Sequence, residues 1–285
     1  MPLVSTGELV SAAAADGRGV AAFNVITLEH AEAIAAGAES AGAPAILQIS
    51  ENAVRFHGGR LSAIAAATAA TARTSTARLA LHLDHVVSPD LLRAADGEGF
   101  SSVMFDASKL SYEKNVEATA DAVRWGRERG IWVEAELGRV GGKEGESPLD
   151  AHAPGVRTDP AEAAAYVAAT GVDALAVAVG SSHAMTERTA TLDHPLITRL
   201  RTAVPVPLVL HGSSGVPDDE IRAAVAAGMV KINVGTALNT AFTAAVRGYL
   251  TANPHTVDPR KYLGPGREAM AGTVEAFLTL MRAAE

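Results

Sequence analysis

Short runs with the apolar, branched character of buried strands recur along the chain, each followed by an Ala-rich stretch patterned like a helix. The runs are Val20–Val25, Ala45–Ile49, Leu79–Leu83, Ser102–Phe105, Ile131–Glu136, Ala174–Val179, Leu208–His211 and Val230–Val234. Amphipathic segments such as Leu28–Ser40, Ser111–Arg129 and Pro160–Ala169 lie between them, and Pro44, Gly130, Gly171 and Gly228 punctuate the returns from helix to strand. Eight strand–helix units in 285 residues fit an α/β fold of the (β/α)8 TIM barrel type. An open, doubly wound sheet is the alternative, but regular repeats without a break in composition favour closure. Pro265–Ala284 reads as an additional C-terminal helix, and residues 1–285 read as a single domain.

Charge and composition narrow the function. The formal net charge is −8 and no Lys/Arg cluster stands out, which argues against nucleic acid as a partner. A small phosphorylated ligand needs only a local pocket and stays open. There is no cysteine, so a tight metal site must be built from histidines and carboxylates. The N-terminal stretch lacks a basic region followed by an apolar core, and no apolar run is long enough to cross a bilayer. A soluble cytoplasmic protein with no membrane partner is expected.

One connection breaks the rhythm. LGRVGGKEGESPLDAHAPGVRTD, between Glu136 and Pro160, is far longer than an ordinary strand–helix loop. It reads either as a surface insertion or as a lid that closes over substrate and delivers a group to it.

Catalytic groups of such barrels collect at the C-terminal ends of the strands. Here those ends carry Asn24, Ser50, Asp84 with His85, Asp106, Glu134 with Glu136, then His183 beyond the sixth run, His211 with Gly212, and Asn233. Any one of these could be solvated; polar residues at every end point to a shared site. His85, His183 and His211 would meet at one mouth and can hold Zn²⁺ with a position left for substrate. His82 shares the phase of Asp84 and is expected to support the site from behind. His30, His57, His152, His194 and His255 are read as structural or surface residues. HGSSGV (211–216) and KINVGT (231–236) each follow a strand and precede a helix, where small residues and a helix N-terminus suit a phosphate.

With these residues in place, the chain closely resembles the class II, zinc-dependent fructose-bisphosphate aldolases and their tagatose-bisphosphate relatives. The pieces that carry the resemblance are LHLDH (81–85), VMFDAS (103–108), VEAELGRVGGKE (133–144), TDPAEA (158–163), TGVDALAVAVGSSH (170–183), LVLHGSSG (208–215), KINVGT (231–236) and DPRKYLGPGREAM (258–270). The resemblance implies a lyase that cleaves a phosphorylated ketose to dihydroxyacetone phosphate and an aldehyde. His85, His183 and His211 would bind the catalytic zinc, Asp84 would exchange the hydroxyl proton at the bond being cleaved, and Glu144 would exchange a proton with the enediolate carbon. Asp106 and Glu136 match positions that hold a second divalent or monovalent cation. Ala184, Gly212, Ser213, Ser214, Asn233, Val234, Gly235 and Thr236 would cradle dihydroxyacetone phosphate. Ser50 would face the aldehyde portion with Asn24 assisting, and Arg260 would reach the far phosphate in its own or a neighbouring subunit. A homodimer or homotetramer is implied.

Two segments depart from the family pattern. In HAMTER, Ala184 replaces the usual Gly and Thr186 the usual Tyr; a methyl group there penalises positive φ. In SENAVR, Glu51 would oppose an anionic aldehyde if it faced the mouth. A Schiff-base mechanism has less support, because Lys231 lies toward the wrong end of its strand. From another functional class, a non-catalytic phosphosugar-binding barrel is the competing reading. A metal-dependent hydrolase would want H-x-H at the end of the first run, which instead reads FNV.

Overall fold

The computed structural model describes residues 3–142, 149–153 and 155–282. Its strands are β1 (Val20–Asn24), β2 (Ala45–Ser50), β3 (Leu79–Val86), β4 (Ser102–Phe105), β5 (Trp132–Leu137), β6 (Ala174–Val177), β7 (Leu208–Leu210) and β8 (Met229–Val234). All are parallel, neighbours in sequence are neighbours in space, and β8 pairs with β1 to close the barrel. The helices are α1 (Thr6–Ala15), α2 (Leu28–Ala41), α3 (Glu51–Phe56), α4 (Leu61–Thr74), α5 (Pro89–Ala94), α6 (Tyr112–Arg127), α7 (Pro160–Thr170), α8 (His194–Ala203), α9 (Asp218–Ala227), α10 (Thr236–Ala252) and α11 (Arg260–Leu280). No helix among the described residues is long and apolar enough to cross a membrane.

The strands sort their side chains by the two-residue period of extended backbone. Leu79, Leu81 and Leu83 of β3 face the helical layer, as do Val133, Ala135 and Leu137 of β5 and Ile232 and Val234 of β8. The alternate positions face the axis and change character along it. At the N-terminal end they are apolar: Val20, Ala22, Ile46 and Ala80 pack with Leu9, Val10 and Ala13 of α1. Toward the C-terminal end they are polar and buried: Gln48, His82, Asp84, Glu134, Glu136 and Lys231. The helix α1 therefore plugs one end of the barrel while the other end concentrates charge.

Differences from the expected elements have local causes. β3 continues three residues past Leu83, and β6 and β7 stop short of Val179 and His211. The final helix begins at Arg260 rather than Pro265, because Asp258 accepts the Arg260 N–H at 3.0 Å and secures an earlier first turn. Proline is common at a helix start, yet Pro265 lies inside this helix. Lys231 pairs in register with Val20 at the start of β1, and its ammonium is buried inside the barrel, 2.8 Å from Glu134 Oε2 and donating to Asn233 Oδ1 at 2.9 Å.

Two substitutions test this packing. A Cβ on Gly37 of α2 would lie 2.6 Å from the Ala271 carbonyl oxygen and 2.7 Å from Val274 Cβ of α11. The helix-propensity gain of Gly37→Ala, about 1 kcal/mol, is therefore outweighed by overpacking of about 1–3 kcal/mol, and urea unfolding should show a net loss. Lys231→Met strips the partner from a buried carboxylate and should cost about 3–5 kcal/mol in the same measurement.

Candidate active site

β3 delivers two adjacent residues to the same mouth, which a regular strand cannot do. Its pairing with β4 shifts register between Leu83 and Val86, and His85 has φ +49°. This irregularity lets His85 and Asp84 both line the cavity above the barrel. A non-glycine residue at positive φ is strained by about 1–2 kcal/mol. His183 comes from the loop after β6, its N–H donating to the Gly141 carbonyl at 2.7 Å. His211 follows β7 directly, and its carbonyl accepts from Ser181 Oγ at 2.7 Å. At Gly212 (φ +71°) a Cβ would stand 2.4 Å from the Ser182 carbonyl oxygen, so only glycine permits the two loops to approach this closely.

The three imidazoles converge. Ring centroids are 5.0 Å apart for His85–His183, 4.8 Å for His85–His211 and 5.5 Å for His183–His211. One donor atom from each, together with a Glu136 oxygen, fall within 4.8 Å of one another. The second nitrogens are held from behind: His85 Nδ1 is 3.0 Å from Asp106 Oδ2, and His211 Nε2 is 3.0 Å from Glu134 Oε1. Asp106 is itself fixed by the Ser108 N–H at 3.1 Å and the Ser108 hydroxyl at 2.5 Å. Nitrogen-rich donors with carboxylates orienting the rings suit a borderline divalent metal such as zinc.

The buried charges of this interior are set by their neighbours. Burial works against ionising Glu134, but the Lys231 charge and the His211 hydrogen bond outweigh it and lower its pKa to about 2. Burial also opposes protonation of His211, yet Glu134 and Glu136, the latter 3.1 Å from Nδ1, push its pKa up to about 9 without a metal. Asp84 is buried, a cost outweighed by His85, His82 and Lys231, which hold its carboxyl well below the usual range. Gln48 Nε2 donates to Asp84 Oδ2 at 3.3 Å and to Asn24 Oδ1 at 2.5 Å. His82 Nε2 stands 3.7 Å from Asp84 Oδ1, its Nδ1 is 2.7 Å from Ser102 Oγ, and Ser102 donates to Thr6 Oγ1 at 2.7 Å.

These residues border a cavity of about 530 Å³. Asn24, Ser50, Asp84, His85, Asp106, His183, Ala184, Gly212, Ser214, Asn233, Gly235 and Thr236 all line it. Ser214 Oγ accepts the N–H groups of Gly235 and Ala237 at 3.3 and 3.0 Å, tying the loop after β7 to the start of α10. Ala184 adopts φ +57°, the left-handed region that glycine would enter freely.

Other expected residues fall elsewhere. The side chains of Ser213 and Val234 are turned away: Ser213 donates to the Leu210 carbonyl and Val234 packs into the helix-facing core. Arg260 does not reach the cavity of its own chain; its side chain is 89% exposed and pairs with Asp258. Glu144 lies outside the described residues. Glu51 does not oppose the mouth, because its carboxylate is turned to the Val87 and Ser88 N–H groups and to Arg55. Sequence reading missed Gln48, Arg55, Lys109 and Asn239 in the lining. Gln48 had a signal in its two-residue spacing from Ser50, and Arg55 in its four-residue spacing from Glu51.

Comparison with known proteins agrees with this geometry. A family model described as fructose-bisphosphate aldolase class-II matches residues 4–285. The chain is 39% identical over 301 residues to the fructose-bisphosphate aldolase of Thermus caldophilus, covering 98% of this chain and 97% of that protein. It is 41% identical over 279 residues to that of Geobacillus stearothermophilus, covering 96% and 95%. Among solved structures, the YdjI aldolase from Escherichia coli K12 matches with a TM-score of 0.83 at 30% identity, over 98% of this chain and 97% of that one. A closed parallel barrel, a histidine–glutamate cluster at its mouth and a match along nearly the whole sequence place this chain in the class II fructose-bisphosphate aldolase family, a family of metal-dependent lyases.

Proposed function

We propose that the chain, acting as one domain, cleaves fructose 1,6-bisphosphate to dihydroxyacetone phosphate and glyceraldehyde 3-phosphate. Tagatose 1,6-bisphosphate is the alternative substrate, because epimers at C4 differ only in which way one hydroxyl meets the wall. The observation that carries the reading is the placement of Asp84 next to His85 in a cavity where His85, His183, His211 and Glu136 bring donor atoms within 4.8 Å.

His85, His183 and His211 would hold Zn²⁺, with Asp106 and Glu134 fixing ring orientation. Zinc bound there supplies Lewis-acid polarisation of the ketose carbonyl and stabilises the charge that cleavage leaves on the three-carbon ketone, an effect of several kcal/mol. Asp84, kept ionised by its neighbours, takes the proton of the hydroxyl at the carbon that becomes the aldehyde. In the reverse direction the same carboxyl returns it. Glu144 would exchange the proton at carbon on the three-carbon product. Asp106 contacts His85 Nδ1, which supports a bracing role for it over a cage for a second cation, whereas Glu136, 3.1 Å from the His211 nitrogen that Glu134 does not hold, stands among the donors beside the metal position. Gly212, Ser214 and Thr236, beside the N-terminus of α10, offer the phosphate a cradle of small residues and helix dipole. Asn233 and Asn24 line the wall where sugar hydroxyls would lie, and Ser50 faces the aldehyde side.

Purified protein should release dihydroxyacetone phosphate from fructose 1,6-bisphosphate, lose that activity in EDTA and regain it on adding Zn²⁺. Turnover indifferent to chelation would overturn the metal mechanism, and parallel assays on the tagatose epimer decide the sugar. Asp84→Ala should lower kcat by about 10²–10⁴-fold, while zinc content measured by atomic emission stays at the wild-type level. Equal loss of zinc and activity would instead make Asp84 a structural prop.

A further inference from the structure

Lys231 and Asn233 share the axis-facing side of β8, since Ile232 and Val234 face the helical layer. They stand about 7 Å apart along the strand, and the Lys231 side chain runs up that gap toward the mouth, its ammonium donating to Asn233 Oδ1 at 2.9 Å. The same ammonium is 2.8 Å from Glu134 Oε2, and the other Glu134 oxygen is 3.0 Å from His211 Nε2. β8 is the neighbour of β7, which His211 follows. One cation therefore braces a histidine of the cluster and the amide on the next strand.

An ammonium carries donors and no acceptor, so only the oxygen of the Asn233 side chain can face it. The amide nitrogen is thereby sent the other way. Asn233 is 7% exposed, it lines the cavity, and its Nδ2 has no hydrogen-bond partner among the described residues. A buried N–H group left unpaired is costly, which fits a donor reserved for a ligand. Lys231 itself does not line the cavity. Engaged by Glu134 and Asn233, it is not offered to a ketose carbonyl.

We propose that Lys231 is a positioning residue of the cleavage reaction: by holding Asn233 Oδ1 it fixes the amide so that the cavity meets its N–H donors and never its carbonyl. The assignment rests on the aldolase reading and deepens it, because oxygens of the bound three-carbon ketone phosphate would accept from that NH2 group. A reversed amide would set its own oxygen against them.

The counter-charge and positioning roles of Lys231 can be separated. Lys231→Met combined with Glu134→Gln removes the cation and the buried anion together, so no unpaired charge stays behind. The double variant should recover most of the stability to urea that Lys231→Met loses, and with Zn²⁺ in excess should keep the wild-type zinc content by atomic emission. Calorimetry with dihydroxyacetone phosphate on zinc-loaded protein then closes a mutant cycle. Asn233→Ala should weaken binding about 3–10-fold in the wild-type background but less than about 2-fold in the double variant, where the amide is already free to turn. Equal losses in the two backgrounds, or a double variant that cleaves fructose 1,6-bisphosphate at the wild-type rate, would overturn the assignment. Neutron diffraction from wild-type crystals reads the amide independently of zinc and turnover. Deuterium should mark its cavity-facing atom, and deuterium on the atom facing Lys231 would refute the proposal. Coupled binding without cleavage of any ketose phosphate would uphold the positioning role and condemn the catalytic reading alone.

Discussion

A buried relay of charge, Lys231 to Glu134 to His211 to Glu136, runs into the histidine cluster and sets its geometry. Two carboxylates facing the axis of one barrel would repel each other and lose hydration. The ammonium of Lys231 answers Glu134 directly, and the imidazole between the two acids is aligned by both. With His211 fixed, His183 from the neighbouring wall and His85 from the opposite one complete the cluster. The polar layer is thus a set of paired groups, and that pairing explains how so much ionisable matter can be buried in a closed sheet.

Strain enters at the same place. His85 and Ala184 are the described non-glycine residues with positive φ, and both line the cavity. The barrel can hold such conformations because its other end is conventional: α1 packs on apolar axial residues, and α11 lies against α2 and α10. Stable packing at one end supports departures at the other.

The barrel could be read from sequence because apolar runs and their punctuation repeat, and because polar residues stand at or just beyond the ends of the runs. What could not be read was direction. Strict alternation would have sent His85 away from the mouth, and the irregularity after Leu83 that turns it back has no local sequence mark. Glu51 looked hostile to an anion because its charge was visible and its partners were not; backbone N–H groups and Arg55 absorb that charge. Lys231 seemed badly placed along its strand, yet a long side chain carries its ammonium to Glu134. The helix α1 was invisible for a different reason: TGELVSAAAADG has little to distinguish a plug from a linker.

Thr6, in the first turn of that plug, is joined to Asp84 through Ser102 and His82. The two ends of the barrel are therefore not independent modules, one for folding and one for chemistry. Grafting a new plug onto this scaffold, or borrowing the plug for another barrel, would carry over a constraint on the Asp84 carboxylate at the mouth. A tinkerer of this enzyme, natural or human, has more freedom in the loops around the mouth than at the floor.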